Sequence, residues 1–211
     1  MTQPVAASYL EQIMKDAHTR TLELVAGLDE NQLIGPRLQI VNPLRWEIGH
    51  VAWFYEKFIL RDLYDQAPYH APGDDIYDSI EIPHEVRWDL PLLPMDETLA
   101  YIKAVLERCI CRLGAGDASE VDSYMYQFAT FHEDMHTEAY TYSRQTLGYP
   151  KPTFTIAAVP MMKKLVPTQE MSQFQGEHSY WAQQRMKLYS LITRNGSIRF
   201  QSNRSKSLKH L

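Results

Sequence analysis

FHEDMHTEAYTYSRQTLGYPKP, residues 131–152, is the stretch on which the fold of this chain turns. It closes a segment that opens near Ser119, where Asp122 three residues on makes a capping-box variant. The segment ends at Gly148 with Pro150 beyond, so one long helix is predicted between them. Its inward stripe reads Val121, Met125, Phe128, His132, Met135 and Ala139, with His136 beside it. His132 and His136 are four residues apart, which puts their imidazoles on one helix face, one turn apart. Two imidazoles so placed can share a metal ion through their ring nitrogens.

Working back along the chain, three more helices are expected. Asn42-Pro43 gives a cap residue followed by proline at a first helical position. The helix it opens carries Trp46, His50, Trp53, Phe54, Phe58 and Leu60 towards Tyr64. Another runs from about Val5 to Leu28, with Leu10, Ile13, Met14, Ala17, Thr21 and Leu24 at spacings of three and four. The next begins near Asp96, shows Leu99, Ile102, Val105, Leu106, Ile110 and Leu113, and stops at Gly114. Between Ala67 and Pro94 the chain is rich in proline and holds the turn signal Pro72-Gly73-Asp74, so it reads as a long ordered loop. Strand periodicity is scarce. The expected fold is all-α: a four-helix bundle with a long loop between its second and third helices and an irregular C-terminal tail.

In such a bundle His50 would face His132 and His136 across the core, completing a set of three imidazoles that leaves positions open for substrate. The bland reading competes with this. A lone histidine on an apolar stripe is ordinarily a satisfied core residue, and the Trp and Phe positions are core first and ligand wall second. His70 and His84 lie in the long loop and read as surface or lid residues. His132-Glu133-Asp134-Met135-His136 also fits the H-E-x-x-H helix of zinc proteases. That would need Glu133 as general base and a third ligand from Glu170, Glu177 or His178, with a substrate-aligning strand that the sequence lacks.

Composition narrows the classes. The 211 residues are 45% hydrophobic and 22% charged, ordinary for a globular chain. The formal charge of -5 argues against a general nucleic-acid binder. No apolar run approaches the ~18 residues that span a bilayer, and no export signal is read at the N-terminus. Cys109 and Cys111 are two apart and face different ways on a helix, so neither a disulfide framework nor a metal knuckle is expected, and a reducing cytoplasm is the simplest setting.

Asn42–Leu60 (NPLRWEIGHVAWFYEKFIL) and Phe131–Pro152 together resemble the N-terminal DinB-like domain of the ergothioneine-type sulfoxide synthases, with wording closest to the selenoneine synthase branch. The resemblance runs from about Tyr9 to Pro152 and includes VRWDLPLLPMDETLAYI before and into the third helix. It implies a mononuclear non-haem Fe(II) held by His50, His132 and His136. The family motif is H-x-x-x-H-x-E, and Glu138 fills its last place. Two residues past His136, Glu138 cannot share that ring's face and is expected to orient rather than ligate. The implied chemistry joins a thiol or selenol donor to hercynine, forming a C–S or C–Se bond with O2. Three neutral imidazoles leave a ferrous ion its full charge, which suits an anionic chalcogen donor. Hercynine's quaternary ammonium suits an aromatic wall, for which Trp53, Tyr55, Trp88, Tyr140 and Tyr142 are the candidates. A stand-alone DinB-like thiol transferase using Zn or Ni would employ the same three histidines, because a metal-bound thiol loses its proton and becomes nucleophilic.

The likeness stops near Pro160. Residues 1–160 carry 12 Lys+Arg and 24 Asp+Glu, whereas 161–211 carry 9 and 2, so an acidic body is followed by a basic, Ser- and Gln-rich tail of low order. Relatives continue instead into a second domain resembling the formylglycine-generating enzymes, which holds a catalytic tyrosine. Back-translating Gln175–Phe200 from the third base of the Gln175 codon permits GGTLLLGATKDETLFSDNEKWVHPV, which looks like the opening of that domain. Out-of-frame sequence in 161–211, and an isolated bundle that does not complete turnover, are therefore the expectations.

Overall fold

Ser119 starts the longest helix. Its hydroxyl accepts the Asp122 backbone N–H at 3.0 Å and donates to the Asp122 carboxylate at 2.8 Å, which satisfies an otherwise orphaned donor. The computed structural model describes residues 4–155, which lie in one unit, Met1–Ala157. Its helices are α1 (Ala7–Val25), α2 (Glu30–Ile34), α3 (Leu44–Tyr55), α4 (Gly73–Tyr77), α5 (Met95–Leu113) and α6 (Glu120–Thr146). Among the described residues there is no strand, only an isolated antiparallel bridge between Ala6 and Asp117. No described helix is long and apolar enough to cross a membrane. The tail expected over 161–211 lies outside the described residues.

The four long helices pack in the cyclic order α1, α6, α3, α5. Leu10 and Met14 of α1, Ile48 and Val51 of α3, Ile102 and Val105 of α5, and Tyr126 and Ala129 of α6 are buried in one core. α5 stops where expected, at Gly114, whose φ of 67° is left-handed backbone that glycine adopts without a Cβ penalty.

Three expectations need correction. Asn42 does not cap α3. Pro43 holds the cap position, and the Asn42 amide reaches forward to Glu47 instead. The helix that follows is not one α-helix to Tyr64, because Glu56–Arg61 winds as a π-helix. The wider turn goes with a fully buried Glu56 carboxylate that accepts the N–H groups of Tyr69 (3.1 Å) and His70 (3.4 Å) and the Tyr101 hydroxyl. A buried carboxylate thus ties down the first part of the long loop, which also contains α4 and a 3-10 turn, His84–Val86.

The third correction concerns the face of α6. Val121 and Met135, placed inward by the stripe, are 54% and 52% exposed. The inward face is Ser123, Tyr126, Ala129, Thr130, Glu133, His136, Tyr140 and Ser143. It is small and polar where α1 and α3 approach, and Ser123, Thr130, Glu133 and His136 find hydrogen-bond partners inside the bundle, while the Tyr140 hydroxyl is buried without one.

Candidate metal centre

His50 sits in α3 between two indoles. Trp46, one turn before it, stacks on the imidazole with centroids 4.9 Å apart and planes within 6°, and Trp53 stacks on it at 5.7 Å. Trp53 is itself held by its indole N–H, which donates to Asp74 at 2.7 Å. His50 Nδ1 lies 2.7 Å from the backbone carbonyl of Tyr77, at the end of α4. A carbonyl only accepts, so Nδ1 carries the proton and Nε2 keeps its lone pair.

His136 is fixed in the same sense by a different partner. Its Nδ1 meets the buried carboxylate of Glu47, on α3. The other Glu47 oxygen accepts the Asn42 amide at 2.6 Å. Burial opposes the charge on Glu47, but the adjoining His136 ring, the Asn42 amide and the nearby His50 outweigh it and hold the carboxyl below its ordinary range. His132 is placed by stacking: its ring lies flat on Phe54, 3.5 Å away and within 8° of parallel. Its Nδ1 is buried without a hydrogen-bond partner.

The three Nε2 atoms converge. His132 Nε2 is 3.2 Å from His50 Nε2 and 3.2 Å from His136 Nε2, and one ligand atom from each ring lies within 4.8 Å of the other two. Burial, then the neighbouring His136, pushes His50 down to about 3, and burial with the other two rings pushes His132 well below its ordinary value. Lone pairs facing one another across so short a gap repel unless a proton or a cation sits between them. The donor set therefore fits a metal ion that the three imidazole nitrogens of His50, His132 and His136 would hold.

Glu133 takes no part in this cluster. Its two oxygens accept the hydroxyls of Thr21 and Tyr55, each at 2.8 Å, in the core between α1 and α3. The general base that a zinc-protease reading requires is thus committed elsewhere, and the third imidazole comes from His50. Burial outweighs those two hydrogen bonds and lifts Glu133 to about 7. A carboxyl raised in the fold contributes its full stability below its unfolded value near 4.5, and that contribution is lost as pH rises through about 7. Metal-free wild type should therefore lose stability relative to Glu133→Gln between pH 5 and 8, by on the order of 2–3 kcal/mol. Urea titrations of both proteins across that range check this, and a pH-independent difference would refute it.

The other sequence candidates scatter. Trp53 is the one wall candidate that stacks on a cluster histidine among the described residues. Tyr55 serves Glu133, Tyr140 is fully buried, and Tyr142 is exposed. Trp88 donates to the Gly35 carbonyl at 3.2 Å under the guanidinium of Arg37. Glu138 is exposed and hydrogen-bonds none of the three rings among the described residues, while Glu47 meets His136. The His70 ring packs at a tilt beside Tyr77 and Tyr101, and His84 Nε2 lies 2.8 Å from the Val41 carbonyl, so both loop histidines are packed against the fold. Cys109 is buried and Cys111 exposed, as their spacing requires.

Comparison with known proteins follows the same residues. The family model of the DinB superfamily matches residues 13–139. Over 138 residues the chain is 31% identical to a protein of Mycolicibacterium smegmatis named hercynine oxygenase. That match takes in 64% of this chain and 31% of the relative, so the chain spans about a third of the relative's length.

Proposed function

The chain belongs to the DinB superfamily, and from that membership we propose that residues 1–160 form the iron-holding domain of an O2-dependent enzyme that makes a C–S or C–Se bond on hercynine. The observation that carries the reading is the meeting of His50, His132 and His136 through their Nε2 atoms. The likeness to hercynine oxygenase supplies the substrate class. A ferrous ion in this position would supply a Lewis-acidic, redox-active centre for a thiolate or selenolate donor and for O2.

The chain's own residues do the rest. The Tyr77 carbonyl and the Glu47 carboxylate fix two rings with Nε2 bare, which removes a choice of tautomer from metal capture. Trp46, Trp53 and Phe54 pack around His50 and His132 and keep water from the inner side. Phe54, Phe58 and Phe128 lie in mutual contact beside His132. Their faces, with Trp53, offer the aromatic surroundings that a quaternary ammonium favours.

Anaerobic purification followed by metal analysis tests the proposal. Wild type should hold close to one iron per chain, and His50→Ala and His136→Ala should each retain little of it. Stoichiometric zinc or nickel would favour a thiol transferase of the same fold. Equal metal content in all three proteins would sink both readings.

A further inference from the structure

We propose that Arg87, in the loop between α4 and α5, is a positioning residue for the histidine cluster, acting through Asn42 and Glu47 on His136. The proposal rests on the metal reading above.

Arg87 is 9% exposed. One arm of its guanidinium donates to Asn42 Oδ1 at 2.9 Å, and the other reaches the carbonyls of Ser79 (3.3 Å) and Ile82 (3.2 Å). Its central carbon lies 4.0 Å from the centroid of the Trp46 ring, the ring that stacks on His50. A hydrogen-bonded route therefore leads from this loop residue through Asn42 and Glu47 to His136 on α6.

The route through Asn42 depends on the asymmetry of an amide. Asn42 offers an oxygen on one side and an NH2 on the other, and the two ends exchange by a simple flip. A guanidinium can only donate, so Arg87 holds the oxygen towards itself and the NH2 towards Glu47. Without Arg87 the flipped amide would set oxygen against the carboxylate, and Glu47 would lose its second donor. Glu47 would then hold the His136 Nδ1–H less firmly, and Nε2 would lose its aim. Arg87 also sets a buried positive charge beside the buried Glu47 carboxylate without touching it.

Co(II) alone is the probe for affinity, and histidine Nδ1–H resonances of the metal-free protein report ring geometry directly. Arg87→Met should bind Co(II) about tenfold more weakly with altered visible absorption bands, the low end of what loss of an outer partner costs. Its metal-free spectrum should lose or shift the His136 Nδ1–H signal and keep that of His50, which the Tyr77 carbonyl holds independently. Arg87→Lys keeps charge over Trp46 but lacks the fork that reaches Asn42, so it should fall as far as Arg87→Met. Arg37→Met, which removes a cation from the exposed face of Trp88 in the same loop, should bind as wild type does. Unchanged affinity and unchanged His136 signal in Arg87→Met overturn the proposal. Full affinity in Arg87→Lys assigns the effect to charge alone and overturns the relay. Simultaneous loss of both histidine signals reports a detached loop, which also overturns it. A wild type that binds no Co(II) overturns the metal reading instead, and the metal-free spectra still judge the positioning role.

Discussion

A His132→Phe protein should bind metal about a hundredfold or more weakly than wild type and yet, metal-free, should unfold at a higher temperature. The two halves come from the same geometry. His132 gives one of three converging nitrogens, and its loss leaves two. In the absence of a cation that nitrogen is a burden: it stands 3.2 Å from two others, and the Nδ1 on the far side of the ring is buried without a partner. Removing an unsatisfied buried polar group recovers about 1–3 kcal/mol. A phenyl ring would keep the stacking on Phe54 and join Phe58 and Phe128. A net gain of about 1 kcal/mol corresponds to roughly 2–4 °C for a chain of this size. Calorimetry in chelator, set beside Co(II) titration, measures both halves. If the metal-free midpoint falls instead, His132 is a packing residue, and the case for a built metal site goes with it.

The second large effect is expected at Gly49→Ala. In most helix interiors this exchange gains about 1 kcal/mol, because glycine loses more backbone freedom on folding. Here a Cβ would stand 2.2 Å from Tyr77 Cε1 and 2.4 Å from Cζ, distances that no packing tolerates. The Tyr77 ring is fully buried and has nowhere to retreat without carrying α4 with it. Overpacking of this kind costs about 1–3 kcal/mol and at times more, so the sign reverses and a net loss of about 2 kcal/mol is expected. The midpoint should drop by roughly 4–8 °C. Metal affinity should fall with it, by about tenfold, since the backbone carbonyl that fixes His50 belongs to the displaced residue. Thermal unfolding and Co(II) titration of Gly49→Ala decide the matter, and a variant as stable as wild type would mean that α4 sits loosely on α3.

Much of this was written locally. The His132–His136 spacing, the apolar stripe around His50, the Ser119 cap and the Gly114 stop are all short-range signals, and the helices they define are found within a few residues of their expected ends, except that α3 gives way to the π turn at Glu56. What escaped depends on partners far along the chain. Glu47 looks like any acidic residue in a first helical turn, and only the approach of α6, 89 residues on, makes it the companion of His136. Asn42 before Pro43 reads as a cap because nothing nearby reveals Arg87. The face of α6 was misassigned because periodicity weighs hydrophobicity. The buried side of that helix instead carries Glu133, Thr130 and Ser123, whose partners lie on α1, on α3 and before α1, while Val121 and Met135 face out. The π turn at Glu56–Arg61 has no local signature and accompanies a carboxylate that must meet the loop.

The acceptor that orients His50 is a peptide carbonyl, and this bears on how the site can drift over generations. No single codon change at position 77 deletes a C=O, so that anchor is exempt from the commonest kind of genetic loss. Glu47 enjoys no such protection, since one nucleotide can remove its carboxylate. Erosion of the pocket in descendants should accordingly begin on the His136 side, with the His50 side surviving as long as the path of the intervening segment is inherited intact.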